Sequence, residues 1–236
     1  MKVRIKFTKH GPVKFIGHLD IMRYFQKAMR RAGIDIKYSE GFNPHQIMSF
    51  AAPLGVGLTS NGEYMDIEVN SMESCKALMD QLNETMVDGI SVTECHILDD
   101  RAKNAMSLVA AADYTVRFRE GKQPQDEEAF FKNFLVFAEQ EHIFITKKTK
   151  KSEREVDLKA SIYELRVEDG TIFIKVSAGS ADNLKPELVM EAYDQWRGQS
   201  SPDFAFQVQR EEVYGNTGDE ENKILVPLGL IGESVE

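Results

Sequence analysis

Only two cysteines occur in these 236 residues, Cys75 and Cys95. With no CxxC pair and no CxxxCxxC motif, neither a structural zinc nor an iron–sulfur cluster held by this chain alone is expected. Cys75 falls among Leu78, Met79, Leu82 and Met86 at helical spacing, which reads as a buried thiol on an apolar face; Cys95 falls in a strand. Long hydrophobic runs are also missing. The longest, such as SLVAAA, fall far short of the ~20 apolar residues that a membrane span needs, so no membrane partner is expected. The N-terminus, MKVRIKFTKHG, alternates like a strand and has no apolar signal-peptide core, which makes the cytoplasm the expected location. Gly55, Gly57 and Gly62 match neither a dinucleotide nor a P-loop fingerprint, because no helix follows at the required spacing. They read as loop geometry. No catalytic signature occurs, and no cofactor or metal is expected.

What the sequence does contain is ordinary for a folded protein: 42% hydrophobic and 28% charged residues. The net charge of −9 averages over unlike parts. Residues 1–38 carry ten Lys or Arg and two acids, a balance of +8 that leaves −17 for the remainder. A cationic end on an acidic chain points to an anionic partner at that end.

Periodicity gives the order of elements. Val3, Ile5 and Phe7 alternate with Lys2, Arg4 and Lys6, predicting a strand over 2–9 with a cationic outer face. Residues 18–32 predict a helix with Ile21, Phe25, Ala28, Met29 and Ala32 on one side, ended by Gly33. Short strands are predicted at 34–38 and 63–69, then a helix over 72–86 capped by Ser71, and a strand at 90–98. This βαββαβ order recurs: a strand around Tyr114, Val116 and Phe118; a helix over 126–139 burying Phe130, Phe134, Leu135 and Phe137; a strand at 143–146; a hairpin over 162–177 turning at Asp169-Gly170; a helix opened by Pro186 that buries Leu188, Val189, Ala192, Tyr193 and Trp196; and a strand at 204–213. The segment KKTKKSEREVDLKA is an insertion with a second basic cluster, Lys147, Lys148, Lys150, Lys151 and Arg154. The expected fold class is therefore α+β, two tandem ferredoxin-like (βαββαβ) units with antiparallel sheets. Residues 1–100 form the first unit, 111–214 the second, and 215–236 a C-terminal tail that either adds an edge strand or stays loose.

Functional candidates concentrate between His18 and Glu63. Arg23, Lys27, Arg30 and Arg31 share the polar arc of the first helix, where they suit phosphate contacts; an ordinary solvated face is the alternative. The loop SEGFNPHQ follows. Gly41, Asn43 and Pro44 have a turn-forming explanation, but Phe42 and His45 suit base stacking and hydrogen bonding, so Phe42, Asn43 and His45 join the candidate RNA-binding set. His18, Tyr38 and His45 are the candidates for general acid–base chemistry. Asp20 favours the helix dipole, and its grouping with His18 and His45 has no metal-specific spacing.

The stretches HLDIMRYFQKAMRRAG and YSEGFNPHQIMSFAAPLGVGLTSNGEYMDIEV, followed by VDLKASIYEL, NLKPELVMEAY and FQVQREEVY, resemble the bacterial radical-SAM-linked (radical SAM-associated) protein family, a domain of unknown function. The resemblance covers most of the chain. In that family the domain stands alone or is joined to the C-terminus of a cobalamin-binding radical SAM protein, near genes for ribonuclease G and large-subunit ribosomal proteins. The positions matching its pattern are His18, Leu19, Asp20, Arg23, Ser39, Gly41, Phe42, Asn43, Pro44, His45, Gly57, Ser60 and Glu63. Gln46 departs from it, standing where a second proline is expected.

The leading expectation is a non-catalytic accessory of a cobalamin-binding radical SAM protein that binds or presents RNA (tRNA or rRNA) for modification. A metal-independent RNA endonuclease with a histidine base is the enzymatic alternative; for it, Val226–Gly232 is a thin match to the expected glycine-rich loop. A protein–protein adaptor is the third.

Overall fold

The structure is a computed structural model that describes residues 1–148, 153–219 and 221–232. Lys150 and Lys151 of the second basic cluster lie outside them. The chain is mixed α and β with mostly antiparallel strands, divided into two compact units: Met1–Ala110 with Arg210–Glu236, and Ala111–Gln209.

In the first unit, β1 (Lys2–Lys9), α1 (His18–Arg31), β2 (Met48–Phe50), β3 (Thr59–Glu68), α2 (Cys75–Asn83) and β4 (Ile90–Leu98) follow in that order. The strands run β4-β1-β3, with β2 paired along one end of β3, all antiparallel. Val3, Ile5 and Phe7 point to the face that α1 and α2 cover, where they meet Ile21, Phe25, Met29, Leu78 and Leu82. Burying each such side chain stabilises the unit by about 1.5–3 kcal/mol. Phe7, Phe25 and Phe50 pack with ring centroids 4.7–6.0 Å apart. Helix α1 ends as its glycine predicts: Gly33 takes φ +69°, and the Ile34 amide donates to the Met29 carbonyl at 3.0 Å.

Several local expectations change. Residues 34–38 form no strand, only isolated bridges of Ile36 with Val69 and of Tyr38 with Gln46. The strand of the middle pair is instead β2, ten residues on. Ser71 does not cap α2; its hydroxyl donates to Asp35, while Ser74 accepts from the Ala77 amide and starts the helix later. β3 begins at Thr59, before the predicted 63, because its glycine hides the alternation. Gly62 is not loop geometry: a Cβ there would lie 2.6 Å from the Glu211 carbonyl oxygen.

The cationic outer face of β1 is not a solvent face. Arg4 is 0% exposed. It pairs with Asp66 at 2.8 Å and donates to the Leu228 and Ile231 carbonyls at 2.9 and 2.8 Å. Lys6 sits between Glu94 and Glu212 at 3.0 and 2.8 Å. Burial pulls the Lys6 pKa down, but the bonds and charges of the two carboxylates outweigh it and leave it raised.

After Leu98, the short helix α3 (Ala105–Leu108) leads into β5 (Val109–Phe118). The second unit continues with α4 (Glu127–Ala138), the hairpin β6 (Phe144–Lys148) and β7 (Glu153–Asp157), then β8 (Ile162–Glu168), β9 (Thr171–Ser177), α5 (Pro186–Trp196) and the start of β10 (Phe206–Asn216), whose residues from Arg210 onward belong to the first unit. Its sheet runs β10-β5-β9-β8, and the inserted segment forms β7 of a separate two-stranded sheet. Asp169 and Gly170 turn the β8–β9 hairpin with φ 47° and 70°, as the Asp-Gly pair predicts. Phe130, Phe134 and Phe137 are buried around Tyr193, whose hydroxyl donates to the Phe130 carbonyl at 2.7 Å. Leu135 and Trp196, expected inside, are 43% exposed. α4 buries only Phe130, Phe134 and Phe137, and in α5 Met190 is buried beside Val189, Ala192 and Tyr193.

The expected separate tail belongs with the first unit, to which Arg210–Glu236 are assigned. β11 (Leu225–Pro227) pairs antiparallel with β10, and the turn that follows supplies the carbonyls that Arg4 holds.

Candidate functional site

The polar arc of α1 is open to solvent: Arg23, Lys27, Arg30 and Arg31 are all exposed. Asp20 pairs with Arg23 at 3.2 Å, one turn away, so one cation is partly offset. Arg30 donates to the Gln26 carbonyl of its own helix, and Arg31 donates to the Thr85 carbonyl and lies over the Tyr24 ring. Tyr24 is anchored in turn by the Val87 amide. These contacts hold the guanidinium stems along the helix while leaving the charge at the surface. Lys27 has no ion-pair partner among the described residues.

Residues 39–45 form a closed loop. The Ser39 amide donates to the His45 carbonyl at 2.8 Å, the His45 amide donates to Ser39 Oγ at 3.1 Å, and Ser39 Oγ shares a 2.9 Å bond with His45 Nδ1. Gly41 takes φ +111°, which a side chain would strain. Phe42 stands at the loop's tip, fully exposed; Asn43 and Pro44 are exposed beside it. At the foot of the loop Gln46 is 6% exposed and reaches back to α1, its Nε2 donating to the Gln26 carbonyl at 3.2 Å and to Tyr38 Oη at 3.4 Å. Gln46, which stands where a second proline is expected, is therefore the tie between the loop and the basic helix. The loop that carries exposed Phe42 is thus joined at its foot to the helix that carries the four cations.

No hydrogen bond or ring contact joins the acid–base candidates to one another among the described residues. His18 packs edge-on against Phe50 at 5.3 Å, Tyr38 Oη receives the Gln46 amide, and His45 is engaged with Ser39. Among the described residues no group of three or more His, Cys, Asp or Glu side chains could hold a metal ion.

Other motif positions serve the interior. Ser60 is 0% exposed and its Oγ accepts from the Gly62 amide. Glu63, 5% exposed, holds Arg210 with two oxygens. Gly57, at φ +92°, donates from its amide to the Lys14 carbonyl. Leu19 is 63% exposed, and Phe15 (65%) and Val56 (60%) are similarly open. Sequence reasoning missed Gln46 as a tie, Arg210 as the partner of Glu63, and Ser49, Lys2 and Asn104 around a cavity beside His45. Each works through a residue distant in the chain, and no local spacing signals that. No helix among the described residues is long and apolar enough to cross a membrane.

No curated protein matches the chain. Among solved structures it is similar to a chain in the crystal structure of a Cbf5-Nop10-Gar1 complex, at 14% identity and a TM-score of 0.43, over 89% of this chain and 48% of that one. The protein thus spans about half the length of that chain, and a likeness at this level carries no argument. Residues 2–186 match a family model described as an uncharacterized protein conserved in bacteria, and the chain belongs to that family, DUF2344.

Proposed function

We propose that this protein is a non-catalytic, cytoplasmic RNA-binding accessory that presents tRNA or rRNA to a cobalamin-binding radical SAM enzyme for modification. The observation that carries the RNA half is the joined surface of α1 and the 39–45 loop: the surface cations Arg23, Lys27, Arg30 and Arg31, with Phe42 fully exposed at the end of a closed loop. Cations track a phosphate backbone, and an exposed ring offers a stacking face to an unpaired base. The order βαββαβ with strands β4-β1-β3-β2 in the first unit, and strands β10-β5-β9-β8 with two helices in the second, supports reading both as ferredoxin-like. Phe15, Leu19 and Val56, large apolar side chains that stay exposed, support a protein partner such as the enzyme itself. The radical chemistry belongs to that partner, since this chain has no cluster-binding motif of its own.

Filter binding of the full chain to structured RNA at several salt concentrations tests the RNA half. Affinity should fall as salt rises. Neutralising Arg23, Lys27, Arg30 and Arg31 together should lower both the affinity and the slope, by roughly 0.7–0.9 for each phosphate that is no longer neutralised. Binding that is undetectable, or flat with salt, sinks this reading. For the partner, co-purification from the native host with and without ribonuclease should retain the enzyme in both cases.

A further inference from the structure

We propose that the cavity beside His45 takes one unstacked nucleotide of a bound RNA strand, its base edge read by Asn104 and Ser49. This rests on the RNA-binding reading above and names the part of the RNA that the site would recognise.

The cavity measures about 310 Å³ and lies wholly in the first unit, on the sheet face opposite the one α1 covers. Register places its walls: Lys2 pairs with both Leu98 and Glu68, and Ser49 pairs with Asp66, so these side chains share that outer face. Ile47, Leu98 and Ala102 give apolar walls. Such a volume sits at the small end of ligand pockets, about 300–1,000 Å³, and apolar walls with a few placed polar groups are their usual lining.

The polar groups have capacity left over. Asn104 Oδ1 accepts from the Met106 amide at 2.9 Å and from Ser49 Oγ at 3.2 Å, which assigns the amide's orientation and leaves its Nδ2 hydrogens for a ligand. Ser49 Oγ, having given its proton to Asn104, still accepts. A donor and an acceptor side by side complement the amide-type edge of a nucleobase. Lys2 Nζ holds the Asp100 carbonyl at 2.6 Å and has two further hydrogens to offer a phosphate. His45, which also lines the cavity, uses Nδ1 on Ser39 and keeps Nε2 for a further hydrogen bond.

An RNA nucleotide fits better than a free metabolite because of what adjoins the cavity. His45 lines it and also closes the loop that carries exposed Phe42, and Gln46, the next residue, ties that loop to the basic helix. A strand that followed the α1 cations past the loop of Phe42 would meet His45, which lines the cavity. Recognition of unpaired RNA combines a cationic track with stacking faces and base-sized sites in this way.

The experiment compares the full chain with Ser49→Leu and Ala102→Leu, two variants that fill the cavity from different walls, on an RNA hairpin with a long unpaired loop and on a blunt RNA duplex of equal length. Circular dichroism and thermal melting confirm that each variant folds. The expected result is an affinity for the looped RNA about tenfold lower in at least one folded variant, with duplex affinity unchanged. If both variants bind the looped RNA like the wild type while neutralising α1 weakens it, the cavity proposal is overturned and the RNA reading stands. If the wild type binds neither RNA, both are overturned.

Discussion

Glu63 on β3 and Arg210 on β10 form a buried bidentate pair, with Arg210 Nε and Nη2 at 2.8 and 2.6 Å from Glu63 Oε1 and side chains 7% and 4% exposed. Arg210 also donates to the Ala52 carbonyl at 2.9 Å. A motif glutamate that could be read as chemistry is here a clasp between a strand near the N-terminus and one near the C-terminus. Arg210→Met or Glu63→Gln should lower the unfolding free energy by about 3–5 kcal/mol, because either change leaves the other partner buried without its counter-charge. Urea unfolding of the variants measures this; a loss under about 1 kcal/mol would show the pair to be dispensable.

Arg4 depends on the chain's far end in the same way. Its Nη1 donates to the Leu228 and Ile231 carbonyls. Removing residues 225–236 strips two charge-assisted bonds from a fully buried guanidinium, each worth about 1.5–3 kcal/mol. The truncated protein should melt at a clearly lower temperature, and Arg4→Met should recover part of the difference in that background.

Gly62 has a backbone at its door: a Cβ would lie 2.6 Å from the Glu211 carbonyl oxygen and 2.8 Å from Glu212 Cα. Gly62→Ala should cost about 1–3 kcal/mol by overpacking, whereas Gly17→Ala, with nothing within 4 Å, should be far milder in the same assay.

The Cys95 thiol is pushed up in pKa by burial first, and then by the hydrogen bond and charge of Cys75, whose sulfur is 2.8 Å away. Less thiolate forms near neutral pH as a result. Iodoacetamide at about pH 8, just below the ordinary thiol range, should alkylate Cys95 many times more slowly in the native protein than in urea. Mass spectrometry of the peptide reads the ratio, and equal rates would remove the inference.

His142 Nδ1 lies 2.7 Å from Asp157 Oδ2, and that bond raises the histidine pKa while the Lys159 amide and His142 lower the carboxylate's. For a histidine raised on folding, the stabilisation is fully present below its unfolded value near 6.5 and is lost as pH rises through the higher folded value. For Asp157, lowered on folding, it is present above the unfolded value near 3.8 and is lost as pH falls through the folded one. NMR titration should find His142 above its ordinary range, and Asp157→Asn should return it there. Both groups are open to solvent, so salt should shrink the shift.

The elements that were legible from sequence are those with local causes. α1 shows its 3.6-residue apolar stripe and its terminal glycine, β1 its strict alternation, and the β8–β9 turn its Asp-Gly pair, since each is decided by neighbours a few positions apart. The same holds for the surface cations of α1 and for Phe42. Sequence pattern could not show that β1's outer face is covered, because the groups that cover it, Leu228 and Ile231, are over two hundred residues away. Nor could it show that Glu63 is a clasp, that Gln46 joins loop to helix, or that Lys2, Ser49 and Asn104 meet around one cavity. Periodicity tells which way a side chain points. Only tertiary contact decides what it finds there, and for this protein that separates a solvent-facing charge from a buried one.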